Sequence, residues 1–242
     1  MHGATPAEKF VYWMTKDRIP VVKLLVLANL VTLVVVRLLG LDAPARFLTW
    51  SPSSTLFMPW TVVTYPLVSP GDPIGLLFAG YWLWVAGGSL ERTWGSRVFA
   101  IFFVAVSAVT ALGLFLGSLV FGGGPVLAGL WMPLAAVTIA FAMMNPEQQI
   151  LFMLIIPLKL KYLAMLTAGL VFFSYGSGGV GRLPMGLFAL AGCAASFWYV
   201  RSGRYLDLGS SRRDQGDVIR INPRRRGGSG PGGWFREYRE RK

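Results

Sequence analysis

Between Arg97 and Glu147 the chain carries no charged side chain for 49 consecutive positions, 98 to 146. One crossing of the bilayer hydrocarbon takes about 20 apolar residues, so this stretch predicts two helices joined by a turn. The turn is Gly122-Gly123-Gly124-Pro125, which leaves 98–121 as one helix and 126–144 as the next, closed by Asn145-Pro146. Four further apolar segments follow the same logic: 24–41, 74–90, 162–175 and 183–200. Arg37, near the end of the first, is placed to snorkel to the interface. An apolar stretch at 150–158 is expected to lie along the interface ahead of the fifth segment. The pattern therefore predicts an all-α polytopic membrane protein of six transmembrane helices. A leader at 1–23 precedes the membrane domain at 24–200, and a tail at 201–242 follows it. The leader lacks a closing small-residue cleavage site, so the first helix is expected to be retained.

Composition and charge sharpen this picture. Hydrophobic residues make up 54% of the chain and charged residues 14%, against about 25% charged in soluble domains. The net charge is nevertheless +12, from 23 Lys and Arg against 11 Asp and Glu. With both termini on one side, that face holds 20 of the 23 basic residues, and Arg37, Arg46 and Arg182 fall on the other. Basic residues favour the cytoplasmic side, so both termini are expected there, with a bacterial cytoplasmic membrane as the expected location and a eukaryotic endomembrane as the alternative. A single cysteine, Cys193, excludes a disulfide scaffold and reads as a small core residue.

The chemical inventory is sparse. The chain has one histidine, His2, in the leader, and no Asp, Glu, Lys or Arg near the middle of a predicted helix. An intramembrane aspartyl pair is excluded. One His and one Cys do not make a metal site, and no cofactor is expected. A serine nucleophile needs an adjacent base, so Ser107, Ser118 and Ser196 read as packing residues. A Ser–Lys arrangement would have to draw on Lys159 or Lys161 at the interface. Gly113 and Gly117, and Gly192 and Ser196, are four apart, a spacing that lets helices approach closely. Glu91, beside Arg92 and Trp94, reads as a capping or ion-pairing group rather than an acid catalyst.

Three stretches resemble the rhomboid superfamily of intramembrane serine proteases, in the family's order: PWTVVTYPLVS (59–69), GLLFAGYWLWVAGGSLERTWGS (75–96) and GLWMPLAAVTIAFAMMNPEQQILFMLIIPLKLKYLAML (129–166). ALAGCAAS (189–196) is similar to the family's sixth helix. The framework landmarks Gly87, Leu90, Glu91 and Gly95 are present, and the chemical groups are not. The resemblance places Trp131 at the nucleophile position and Ala189 at that of the histidine base. It places Gly75 and Ala79 where a His and an Asn help hold the oxyanion, and Trp60-Thr61 where the family has Trp-Arg. No shift of register supplies a histidine that the apolar segments lack. The resemblance thus implies a rhomboid-like pseudoprotease, inactive as an enzyme, that binds transmembrane client proteins for quality control, trafficking or assembly. Trp131 reads either as a plug in the emptied site or as part of the interfacial aromatic belt. Trp60 and Trp131 are the expected client or lipid contacts within the membrane domain.

The tail carries 12 basic and 5 acidic residues, including Arg224, Arg225 and Arg226, and its composition predicts disorder. Its expected partner is anionic lipid of the bilayer surface. A protein or RNA partner stays open, but no specific nucleic-acid module is present. Two other functions are compatible with the inventory. One is an intramembrane serine protease with unrecognised chemistry. The other is a small-solute channel or transporter, disfavoured by the lack of midplane ionisable groups and of an inverted repeat.

Overall fold

A computed structural model describes residues 19–37, 39–40, 42–69, 71–152, 156–176 and 183–203. The leader through residue 18, with His2, and the tail beyond residue 203, with Arg224, Arg225 and Arg226, lie outside the described residues.

The first helix, α1 (Pro20–Arg37), begins at a proline, whose missing N–H is no loss in a first helical turn. Its first free N–H groups are met from 70 residues away: Glu91 Oε1 accepts from Val21 N and Glu91 Oε2 from Val22 N, each at 2.9 Å. A negative group at a helix N-terminus is doubly favoured, by hydrogen bonding and by the helix dipole. Glu91 is fully buried there, and of the two roles expected of it, capping and ion pairing, these bonds are capping. Lys23, also buried, lies over the Trp84 ring at 5.8 Å.

A short helix α2 (Asp42–Leu48), a 3₁₀ turn (Pro52–Ser54), a one-turn helix α3 (Thr61–Thr64) and a second 3₁₀ turn (Tyr65–Leu67) then build a long connection. It is tied down by a two-residue bridge between Trp50 and Leu127, with N···O distances of 3.0 and 2.8 Å. The buried Tyr65 hydroxyl donates to Ser107 O at 3.3 Å. Trp60, 40% exposed, donates its indole N–H to Phe47 O and stacks on the Phe47 ring, centroids 5.0 Å apart.

The second apolar segment is continuous from α4 (Pro73–Trp82) through a π-turn (Leu83–Gly87) to α5 (Gly88–Trp94). Gly87 allows α1 to come close: a Cβ there would meet Val22 at 3.3 Å, tighter than ordinary contact. Gly95, at φ +86°, turns the chain into α6 (Ser96–Phe121).

The next helix, α7 (Trp131–Met144), is apolar on every side because it is enclosed on nearly every side, with Met132 through Ala142 buried without a break. It packs against α6, against α8 (Leu160–Gly176) and against α10 (Ala191–Arg201). Trp82 Nε1 donates to Thr138 Oγ1 at 2.8 Å, and Ser196 Oγ to Ala136 O at 2.6 Å. The small residues singled out by spacing all pack within the chain. Gly113 faces Phe188 O and Ala191, Gly117 faces Met185 and Phe188, and Gly192 faces Thr110.

Among the described residues, three helical stretches, Pro20–Arg37, Pro73–Trp94 and Ser96–Phe121, are long and apolar enough to cross a membrane; Trp131–Met144 and Leu160–Gly176 are shorter apolar helices. At 1.5 Å per residue, the 14 residues of α7 span about 21 Å. Three departures from the sequence pattern go beyond a shift of a few residues at a helix end. The fourth helix starts at Trp131, because residues 126–130 form the loop that pairs with Trp50 and Tyr65. The last segment pauses at Leu190, between α9 (Leu183–Ala189) and α10. The expected interfacial stretch forms an antiparallel hairpin, β1 (Gln149–Phe152) with β2 (Ile156–Lys159). Its base is closed by Glu147, which bonds Lys159 Nζ at 2.6 Å and Lys161 Nζ at 2.9 Å.

Candidate functional site

Asp72 makes the start of α4. Its backbone is extended, Pro73 follows, and its Oδ1 accepts from Ile74 N at 3.1 Å, a capping arrangement preferred by Asp before a first-turn proline. The carboxylate lies over the first turn, and its Oδ2 occupies the space that a Cβ on Gly75 would need. A side chain at position 75 would require that oxygen to move. Ala79 follows one turn later on the same face.

Opposite stands the loop that leads into α7. Gly129, at φ +88°, donates its N–H to Tyr65 O at 2.9 Å, and Trp131 opens the helix. Gly75, Ala79, Gly129 and Trp131, together with Asp72 and Asn29 of α1, line a mostly apolar cavity of about 170 Å³. Trp131 is 54% exposed at its rim. The indole does not fill the site, a geometry closer to an interfacial aromatic than to a plug.

Asn29 is the polar group at the inner side. Its residue is 0% exposed. Its Nδ2 donates twice, to Leu25 O at 2.9 Å and Pro66 O at 2.8 Å, which fixes the amide orientation. Its Oδ1 has no hydrogen-bond partner among the described residues. Thr32, one turn on, donates to Leu67 O and accepts from Ser69 N. A polar stripe on α1 thus stitches the helix to the 66–69 segment and leaves one acceptor over.

The charged side chain at the cavity is an acceptor, the Asp72 carboxylate. The Asn29 donors are committed to carbonyls, and its Oδ1 is buried without a partner among the described residues. Oxyanion stabilisation needs the reverse, donors aimed at developing negative charge.

Of the positions that the resemblance marked, the structure brings together Gly75, Ala79 and Trp131. Ala189 is not among the lining residues. It is 1% exposed at the end of α9, packed in a cluster with Met132, Ala135 and Cys193. Trp60 belongs to the connection before α4 and lines no part of the cavity. Asn29 and Asp72 are the residues that pattern reading passes over. An amide inside an apolar run signals the first, and an Asp-Pro pair ahead of an apolar run signals the second.

The fold defines a helical integral membrane protein. The chain belongs to the family described as "Eukaryotic integral membrane protein (DUF1751)", whose model matches residues 18–219. The family's description is eukaryotic, and the expected bacterial membrane finds no support in it. No curated protein matches the chain.

Proposed function

We propose that the chain is a rhomboid-like pseudoprotease: a six-crossing protein of a eukaryotic membrane, with both termini cytoplasmic, that binds the transmembrane helices of client proteins without cutting them. The observation that carries this reading is the reversal of polarity in the cavity. Where the resemblance calls for a histidine and an asparagine to steady an oxyanion, Gly75 lies under the Asp72 carboxylate and Ala79 is apolar. A carboxylate beside a tetrahedral oxyanion raises its energy rather than lowering it. The framework landmarks keep structural work: Glu91 caps α1, and Gly87 and Gly95 set the approach and turn around it. The tail, with Arg224, Arg225 and Arg226, lies on anionic lipid in this reading and supplies most of the cytoplasmic charge.

Photo-crosslinkers at Leu77 and Phe78 on α4, and at Met165 on α8, all exposed side chains, are expected to trap transmembrane proteins in cells. Capture of lipid alone at all three positions would overturn client binding. Labelling by a serine-directed fluorophosphonate, abolished by changing one intramembrane serine, would instead restore the protease reading.

A further inference from the structure

The connection between α1 and α4 is turned inside out. Each of the seven hydroxyls from Thr49 to Thr64 has a hydrogen-bond partner within residues 45–64. Thr55 Oγ1 donates to Ser51 O at 2.9 Å, Thr61 Oγ1 donates to Met58 O at 2.6 Å, and the Ser51 and Ser54 hydroxyls pair at 2.8 Å. The Trp60 indole N–H is likewise committed, to Phe47 O. The apolar side chains take the outward places. Phe57 is 83% exposed and Leu56 80%, the two highest values for large apolar side chains among the described residues. They stand side by side on a tight turn, in which Phe57 N and Met58 N both donate to Ser54 O, at 3.1 and 2.8 Å. A loop bathed in water turns its polar groups out and its large apolar ones in, and here that order is reversed.

We propose that residues 52–60 are an insertion tip, which seats Leu56 and Phe57 among the acyl chains of the leaflet where α1 ends and α4 begins. The tip joins two helical stretches long and apolar enough to cross a membrane, in a chain of an integral membrane family, which sets it at the bilayer surface. Its apolar surface lies beside another one that faces lipid: Pro52 is against Gly124, just past α6, whose last turns expose Leu119 and Val120. Charge agrees. Arg46 is the only charged residue from 43 to 71; it is exposed in the last turn of α2, where its guanidinium suits a lipid phosphate. The stacked Phe47 and Trp60 rings next to it are of the kind that gathers at the interface. The inward hydrogen bonds let irregular backbone enter this layer, because an unmatched polar group there is costly.

The experiment places the full chain in nanodiscs of phosphatidylcholine and phosphatidylglycerol. Nitroxide labels go on Leu56→Cys and Phe57→Cys in a Cys193→Ser background, with Gln148→Cys, exposed ahead of the hairpin, as the water-facing reference. Both tip labels should collide with oxygen in preference to a water-soluble nickel chelate, at a depth of about 5–10 Å below the headgroup boundary, while the Gln148 label should meet the chelate. Chelate access at both tip positions equal to that at Gln148 would overturn the proposal. Labels shielded from oxygen and chelate alike would also overturn it, since they would mark a protein partner or a second copy over the tip. The unmodified chain gives a second reading that no substitution can spoil. A phosphatidylcholine with a photoreactive diazirine on its acyl chain should label the peptide that carries Leu56 and Phe57 as well as the one that carries Leu119 and Val120. Label on the α6 peptide alone would sink the idea. Client capture at Leu77, Phe78 and Met165 uses other surfaces, so lipid insertion and client binding fail independently.

Discussion

Glu91 and Val22 are 69 residues apart and are joined by one hydrogen bond, Val22 N to Glu91 Oε2 at 2.9 Å; the other carboxylate oxygen takes the neighbouring Val21 N–H. The first helix is thereby fastened to the end of the second by a fully buried acid. Glu91→Ala would leave two N–H groups without an acceptor in a buried place and should cost about 2–4 kcal/mol. Glu91→Gln keeps one acceptor oxygen and should fall between. Thermal unfolding in detergent should rank the stabilities wild type, Glu91→Gln, Glu91→Ala, and an alanine variant as stable as wild type would contradict the capping role.

Close helix approach gives a second contrast, between two glycines in helices. A Cβ on Gly113 would come within 2.6 Å of Phe188 O and 2.7 Å of the Ala191 side chain, both in the α9–α10 segment, whereas a Cβ on Gly169 meets nothing within 4 Å. Gly113→Ala must push α6 away from that segment and should destabilise by about 1–3 kcal/mol. Gly169→Ala gains helix propensity without a clash and should stabilise by about 0.5–1 kcal/mol. Unfolding of the two single variants in the same micelle checks the signs, which should be opposite.

The base of the hairpin predicts a pH window. Hydrogen bonds from Lys159 and then Lys161, with the charges of both, lower the Glu147 carboxyl from its ordinary 4.5 to about 2. A carboxyl with a folded pKa below its unfolded value holds its contribution above pH 4.5 and loses it as pH falls toward 2. The protection of the hairpin amides, their exchange rate taken relative to the intrinsic rate at each pH, should therefore fall across that range in the wild type, and Glu147→Gln should flatten the dependence. The groups are exposed, so molar salt should move the midpoint back toward 4.5 by screening. A midpoint near 4.5 at low salt would show that the two lysines do not hold the carboxylate.

Much of the fold could be read in the chain because the bilayer imposes a coarse rule. The charge-free run 98–146 and its Gly-Gly-Gly-Pro turn mark α6 and the approach to α7 with small error. The pairing of 149–152 with 156–159 was not legible: a continuous apolar run has no period of two to separate a strand from a buried helix. Capping by Glu91 was readable in kind, from an acid among framework glycines, but its partner at the start of α1 was not. The cavity was legible in three of its lining positions, Gly75, Ala79 and Trp131. Asn29 and Asp72 were not, because neither stands at a position that the resemblance marks.

The position of Ala189 makes the last prediction. Restoring a nucleophile and a base by Trp131→Ser with Ala189→His would supply the missing residue types on paper. Activation of a serine needs the base within hydrogen-bond reach, about 2.6–3.2 Å. Trp131 stands at the cavity rim, while Ala189 is buried among Met132, Ala135 and Cys193 and lines none of it. Even with contact made, the Asp72 carboxylate over Gly75 would oppose the oxyanion. The double variant should show no fluorophosphonate labelling above the wild type. Adding Asp72→Asn should not rescue it, because the base would still be misplaced. Thermal unfolding of each variant in the same detergent shows whether the protein under test is folded. Labelling of a folded double variant at position 131 would mean that the two positions do meet, and that loss of residue types alone silences the site.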